Sequence, residues 1–582
     1  MTAYDNQQFS NQQFNHQPVI LQPVVNIAEI CARKGVENVV LSPGSRCAPL
    51  TIAFARHTKL NVRTISDERA AAFIALGMAL TTGKPTVLIC TSGTAALNYA
   101  PAVAEAFFQQ VPLLILTADR PPEWIDQLDG QTIRQQNVYG QHIKHSYTFP
   151  ADLSHKDSIW HSERMVSEAL NETIAYPAGP VHINIPLREP FYPAPGEDLV
   201  FDTEVKIIEE EPANYSLSEK QVAQLQQEIS NYSRILIVAG QQNHTAELQP
   251  VLQQFTDKSG AVIVGDLIAN LHELPETIRH QDAILACPDP EKLAKLLPDL
   301  LITFGKSVIS KALKLYLRKY KPKAHWHIQP AGQVADTFQA LTRIIRCTPE
   351  AFFATITTAK NEANYSSAWN EIESKAAAFL KEYTSEAAFS ELSAVARIFE
   401  SLPTKSNLHL ANSMAVRYAN IIGLDAGKNV EIYANRGTSG IDGSNSTTVG
   451  CALTSSNITT LLTGDMAFFY DRNGLWHNYL PQNLRIVILN NHAGGIFRLI
   501  DGPKQQPELE EFFETKQTLD AANTARDFGM NYTACSSLEE LEQALPAFFS
   551  LQSGAGILEI FTDSKANAAA FADYKQALFK AL

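Results

Sequence analysis

Two groups of residues far apart in the chain make chemical sense together. Gly464-Asp465 is followed by Asn490-Asn491, with Asp465 and Asn491 separated by 26 positions. If these residues close neighbouring strands, the Asp465 carboxylate, the Asn491 amide oxygen and the Ala493 backbone carbonyl offer oxygen ligands to a hard cation. Mg²⁺, or Mn²⁺ in its place, suits such a set and travels with phosphates. A helix opening near Met466-Ala467 would aim free N–H groups at the same phosphates. Ser66-Asp67-Glu68-Arg69, near the other end of the chain, supplies a different tool. Glu68 at a helix start can exchange a proton with a heterocycle nitrogen.

Positioning such groups takes strands that end side by side. From about residue 24, short β-branched runs alternate with amphipathic stretches: Asn38–Leu41, Val62–Ile65, Thr86–Cys90 and Leu113–Leu116, with helical segments between them. This rhythm predicts a parallel sheet covered by helices, with ligands bound beyond the carboxyl ends of the strands. The unusual sequences fall at those ends: Ser42–Arg46, Ser66–Glu68, Thr91–Thr94 and Ala118–Pro121. The last third repeats the arrangement, with Leu408–Ala411 leading to Ser413 and Arg417, Val430–Ala434 to Asn435–Gly443, Ile458–Thr463 to Asp465, and Arg485–Leu489 to Asn490-Asn491. Two such sheets could face each other across one ligand. Between them, Arg234–Gly240, Ala261–Asp266 and Asp299–Gly305 read as strands of a third, plainer α/β domain.

The expected division is a polar leader over 1–20 and three doubly wound parallel-sheet domains over 21–195, 196–360 and 361–582. Pro-rich Pro190–Pro195 marks the first junction, and the polar helical stretch Thr358–Ser385 the second. A chain of 582 residues holds about three to four domains by size. Its net charge of −14 argues against nucleic acid as a partner. Seven scattered cysteines without a Cys-x-x-Cys pair read as buried free thiols, not as a disulfide frame or zinc site. The Gln/Asn-rich leader has no apolar core of a signal peptide, and no apolar run is long enough to span a bilayer, so integral membrane association is not expected and a cytoplasmic protein is. There is no Gly-x-Gly-x-x-Gly or Walker loop.

The combination resembles the thiamine diphosphate-dependent decarboxylase superfamily, and within it the 2-succinyl-5-enolpyruvyl-6-hydroxy-3-cyclohexene-1-carboxylate synthases of menaquinone biosynthesis. The resemblance rests on Ser42–Arg46 (SPGSR), Asp67–Arg69 (DER), Thr91–Thr94 (TSGT), Ala118–Pro121 (ADRP), Asn435–Gly443 (NRGTSGIDG), Gly464–Asp471 (GDMAFFYD) and Asn490-Asn491. Met466 stands where most of the superfamily has a third glycine, as in the synthase branch.

The resemblance implies thiamine diphosphate with Mg²⁺ or Mn²⁺ as cofactors, and 2-oxoglutarate and isochorismate as substrates. It implies decarboxylation of the first and 1,4-addition of the resulting succinyl-semialdehyde carbanion equivalent to the second. Other 2-oxo acid decarboxylases, or an acetolactate synthase-like ligase, are the alternative. Residue by residue, it implies that Glu68 activates the cofactor's pyrimidine. Ser413, Ile441, Asp465, Met466, Ala467, Asn491 and Ile496 would hold the cofactor, and Asp465, Asn491 and Ala493 the metal. Ser413, Arg417 and Arg436 would take the succinyl carboxylate; Ser45, Arg46, Arg120 and Gln131 would meet isochorismate; Phe497 would line the apolar side. Lys311 is the expected lysine of the middle domain, although some relatives carry a basic residue where this chain has Ala312. His492 has loop packing as its default. The resemblance further implies a homodimer, or a dimer of dimers, with Glu68 reaching the cofactor held by the partner subunit.

Overall fold

Several of the strands that carry these loops are apolar runs buried along their whole length, such as Thr86–Cys90 and Leu113–Asp119. A strand buried on both faces needs helices above and below it, which a parallel sheet with crossover helices provides. The computed structural model describes residues 21–189, 191–193, 196–358 and 363–582. The leader over 1–20 lies outside them, as do parts of the proline-rich first junction and of the second junction at 360/361.

Three six-stranded, all-parallel sheets result. The first comprises β1 (Asn38–Leu41), β2 (Asn61–Thr64), β3 (Thr86–Cys90), β4 (Leu113–Asp119), β5 (His145–Thr148) and β6 (Pro180–Pro186), in the order β2-β1-β3-β4-β6-β5. The second comprises β7 (Ile235–Ala239), β8 (Val262–Gly265), β9 (Thr277–Ile278), β10 (Leu300–Phe304), β11 (Ala324–Ile328) and β12 (Arg343–Ile345), in the order β12-β11-β10-β7-β8-β9. The third comprises β13 (Asn407–Leu410), β14 (Glu431–Ala434), β15 (Thr459–Gly464), β16 (Leu484–Asn490), β17 (Asn531–Cys535) and β18 (Gly556–Phe561), in the order β14-β13-β15-β16-β18-β17. The first and third sheets therefore share one topology. The middle sheet has the strand order of a dinucleotide-binding fold.

Equivalent helices of the two matching sheets pack on each other. Glu68–Thr82 follows β2 and Ser444–Leu453 follows β14, and both are buried along nearly their full length. Their backbones meet because glycine stands at each crossing point. A Cβ on Gly77 would lie 2.0 Å from the Thr447 carbonyl oxygen, and one on Gly450 would lie 2.0 Å from that of Ile74.

The middle domain is tied to the third sheet by side chains along β14, which is an edge strand. Asn270 accepts from the Ile432 N–H at 2.8 Å and donates to its carbonyl at 3.0 Å, while Gln241 donates to the Ala434 carbonyl at 2.8 Å. Those bonds satisfy an edge that would otherwise invite another strand. The crevice between β7 and β10, where this strand order reverses, is filled by backbone: a Cβ on Gly240 would lie 2.2 Å from the Lys306 carbonyl oxygen. All seven cysteines are buried and unpaired. No helix among the described residues is long and apolar enough to cross a membrane.

Candidate active site

Register places the metal-ligand candidates. Gly464 of β15 pairs with Leu489 of β16, so Asp465 comes level with Asn490, and Asn491 follows one residue on. Adjacent strands lie about 4.8 Å apart, which makes the two ends neighbours. Ser413 follows β13 and Arg436 follows β14. Four adjacent strands of the third sheet thus deliver Ser413, Arg436, Asp465 and Asn491 to one rim.

Asp465 is 2 % exposed and belongs to no ion pair among the described residues. Burial raises its carboxyl to about 6, while Gln517 donates to its Oδ2 at 2.7 Å. Asn491 donates through Nδ2 to Glu391 at 2.6 Å, and its Oδ1 accepts from the Ala493 N–H at 3.0 Å. Gly495 packs where a Cβ would come 2.8 Å from Asn491 Nδ2. A buried carboxylate without a counter-charge, beside an amide of fixed orientation, is a donor set that fits a divalent cation; water and phosphate oxygens would complete its shell. Met466 and Ala467 lie in the short helix Asp465–Tyr470, and Ile496 and Phe497 in the turn Gly495–Arg498. Phe497 stands against Phe513, with ring centroids 5.8 Å apart. His492 stacks on Phe561, in keeping with a packing role.

Cations gather next to this rim. Arg436 donates to Asn412 Oδ1 at 2.7 Å, and Arg417 to the Ser413 carbonyl at 2.5 Å. Burial lowers the pKa of Arg436, and the nearby Arg417 lowers it further. Two guanidiniums near enough to repel each other, only partly offset by Asp266 and Glu105 around Arg436, offer a site for an anion. Arg417, Lys311 and Ile496 line a common cavity of about 550 Å³ between the middle domain and the third sheet. Lys311 opens the helix Lys311–Lys319, which Ser310 caps by accepting from the Leu313 N–H. Ile441 is half-buried beyond the loop that Asn412 braces through the carbonyls of Asn435 and Gly440.

The first sheet carries the other group. Asp67, Glu68 and Arg69 divide three tasks. Asp67 caps the helix through the Ala70 N–H and accepts from Asn473, while Arg69 donates to the Tyr470 carbonyl at 2.8 Å and lies over its ring. Glu68 keeps a half-buried carboxylate without a hydrogen-bond or ion-pair partner among the described residues. Ser45 is exposed, and Gln131 sits at φ 55° against Gly93. Arg120 holds Asp129 at 3.1 Å. Arg46, in contrast, turns into its own domain, donating to the Leu187 carbonyl at 2.9 Å with Phe191 under its guanidinium. No hydrogen bond or ion pair among the described residues joins Ser45, Glu68, Arg120 or Gln131 to the rim of the third sheet.

Several working residues carry no sequence signal of their own. Glu105, 1 % exposed, accepts from the Gly437 and Thr438 N–H groups at 2.7 Å each and from the Thr438 hydroxyl at 2.6 Å. One turn later, Gln109 accepts from the Arg436 N–H, and its carbonyl takes the Lys306 ammonium. Glu391 and Gln517, which touch the cation rim, were equally silent. Only the fold brings them to their partners.

The chain is similar to known proteins along most of its length. Residues 25–143 match the family model described as thiamine pyrophosphate enzyme, N-terminal TPP binding domain, and 206–410 match the one described as the middle domain of thiamine pyrophosphate enzymes. A 2-succinyl-5-enolpyruvyl-6-hydroxy-3-cyclohexene-1-carboxylate synthase of Cytophaga hutchinsonii is 47 % identical over 95 % of this chain and 98 % of its own. Proteins of the same name from Flavobacterium johnsoniae and Bacteroides fragilis are 39 % and 36 % identical, over 93 % and 95 % of this chain and 96 % and 98 % of theirs. Identity at that level over more than nine-tenths of both chains means that the chain belongs to the 2-succinyl-5-enolpyruvyl-6-hydroxy-3-cyclohexene-1-carboxylate synthase family of thiamine pyrophosphate enzymes.

Proposed function

We propose that this protein decarboxylates 2-oxoglutarate and adds the remaining four-carbon unit 1,4 to isochorismate, giving 2-succinyl-5-enolpyruvyl-6-hydroxy-3-cyclohexene-1-carboxylate and CO₂. The observation that carries this substrate choice is the mutually repelling pair Arg417 and Arg436 beside the cation rim. An enzyme for pyruvate would have no carboxylate to place there, whereas the distal carboxylate of 2-oxoglutarate fills it.

Thiamine diphosphate, when bound with Mg²⁺ or Mn²⁺, supplies carbanion-stabilising chemistry that no side chain can. Asp465, Asn491 and the Ala493 carbonyl would hold the cation. Ser413, Ile441, Met466, Ala467 and Ile496 would flank the cofactor. Glu68 would hold a proton against its pyrimidine ring nitrogen, the role its unpartnered carboxyl suits. Arg417 and Arg436, with Ser413, grip the succinyl carboxylate, since the planar guanidinium fork binds carboxylates bidentately. Ser45, Arg120, Gln131, Lys311 and Phe497 would receive isochorismate, with Arg46 bracing that loop from behind.

Because no hydrogen bond or ion pair among the described residues ties Ser45, Glu68, Arg120 or Gln131 to the cation rim, the proposal includes a homodimer in which Glu68 serves the cation rim of the partner subunit. It also keeps the division at 195/196 and 360/361 and a cytoplasmic setting. The test is to incubate the protein with thiamine diphosphate, Mg²⁺ and 2-oxoglutarate, and to follow the ultraviolet loss of added isochorismate. Consumption that requires all three supports the reading. CO₂ release without isochorismate loss would replace it with a plain decarboxylase.

A further inference from the structure

Asn491 is useful to a cation only if its oxygen, not its nitrogen, faces the site. The two ends of an amide are nearly equal in shape, so a ligand of this kind needs something to fix its orientation. Glu391 stands directly behind it. It is 2 % exposed, opens the helix Glu391–Ser401, and has no lysine, arginine or histidine partner among the described residues. It is surrounded by donors instead: Asn491 Nδ2 at 2.6 Å and the hydroxyls of Tyr418 and Thr562. Its backbone N–H is fixed by Asn567 Oδ1 at 3.0 Å, which pins the residue to the C-terminal helix Ser564–Ala581.

We infer that Glu391 is a positioning residue for the divalent cation: its carboxylate admits only the NH₂ end of the Asn491 amide and thereby turns Oδ1 toward the metal. Turning the amide over would set its oxygen against a carboxylate oxygen and forfeit the bond from the Ala493 N–H. Such partners behind a ligand commonly change metal affinity or activity by about 10–100-fold. The inference rests on the proposed role of Asn491 as a ligand.

The experiment is a Mg²⁺ titration of thiamine diphosphate binding, read by tryptophan fluorescence and by the rise in melting temperature, with no substrate present. Glu391→Leu keeps the volume but removes the acceptor, and should raise the half-saturating Mg²⁺ concentration about 10–100-fold. Glu391→Gln keeps an acceptor oxygen and should stay within about threefold of the parent. If Glu391→Leu does not fold, Glu391→Asp, whose acceptor is withdrawn by one methylene, takes its place with an intermediate rise expected. Wild-type half-saturation in a folded Leu variant, or in the Asp variant where that one is needed, overturns the inference. A Gln variant as weak as the Leu variant overturns it too, because charge and not orientation would then be what matters. Asn491→Ala separates the two claims. If it also binds Mg²⁺ normally, the ligand assignment itself fails; if it alone loses Mg²⁺, only the role of Glu391 does.

Discussion

Arg436 is where the chemistry of this chain is most exposed to test by a single substitution. Among the described residues its guanidinium has one acceptor, Asn412 Oδ1, and its Nε is buried without a partner. Hydrogen bonds to a charged group are worth about 1.5–3 kcal/mol, so Arg436→Ala should lower kcat/KM for 2-oxoglutarate by about 10–100-fold, mainly through KM. Steady-state kinetics with each substrate varied in turn will check it. If only isochorismate is affected, the two substrate pockets have been exchanged in the assignment. At this scale the sequence singled out residues that stand in a motif, as Glu68 and Asp465 do. It was silent where a residue works on another from a distant segment: nothing about Glu391 or Glu105 in their own helices distinguishes them from solvated carboxylates. Arg46 shows the opposite limit. Its motif suggested a substrate contact, but Phe191 and the Leu187 carbonyl lie close enough to take its fork inward.

Among the elements, the crossing of Glu68–Thr82 with Ser444–Leu453 governs how the first and third domains meet. Gly77→Ala sets a methyl group 2.0 Å from a backbone oxygen that no rotamer change can move. Overpacking costs about 1–3 kcal/mol in ordinary cores, and more where backbone must shift, so a loss of about 3 kcal/mol or more is expected in urea unfolding. Unchanged stability would mean that the helices do not meet in solution as described. The alternation of apolar runs and amphipathic stretches made four strands in each of the first and third sheets readable to within three residues. The helical pattern over Ala95–Gln109 runs on without a break, whereas the structure has two helices there, Thr94–Asn98 and Ala100–Gln109. The strands β5, β6, β9, β11, β12, β17 and β18 escaped notice; of these β5, β9, β12 and β17 are edge strands of two to five residues, which carry little apolar periodicity. One strand offers a pH test. On β6, His182 is wholly buried between the Thr117 and Ser146 hydroxyls, and burial pushes its pKa from 6.5 down to about 3. Between those values the unfolded chain binds the extra proton, so this residue's contribution is intact above pH 6.5 and falls on acidification by up to about 1.4 kcal/mol per pH unit. Buried carboxylates such as Asp471, raised to about 7, act in the opposite sense. The measurement is therefore the difference in slope between the parent and His182→Gln from pH 7 to 5, with the variant expected to be flatter. Equal slopes would mean that the imidazole is protonated in the folded state.

For the molecule as a whole, the proposed shared site makes a quantitative demand. Glu68→Gln and Asp465→Ala should each be inactive alone. Unfolded and refolded together in equal amounts, they form mixed dimers in which one of two shared sites is intact, so about a quarter of the parent activity should return. No recovery despite mixed dimers, confirmed by native mass spectrometry, would place both residues of a site in the same subunit. The middle domain has a part in this architecture that its strand order conceals. Its switch-point crevice is closed by its own backbone, and the surface around it serves to dock the third sheet.

Glu105 has a consequence for how the chain is made. It lies 332 positions ahead of the loop amide it binds at Gly437. At about 5–20 residues per second on the ribosome, roughly 15–65 s pass between the emergence of the carboxylate and that of the loop. The first domain can fold in that interval, so the segment bearing Arg436 arrives at a finished surface and is shaped by it. On the proposed role of Arg436, the grip on the succinyl carboxylate thus depends on a loop shaped by the first domain, and random substitutions on the helix Ala100–Gln109 should surface as substrate-binding phenotypes.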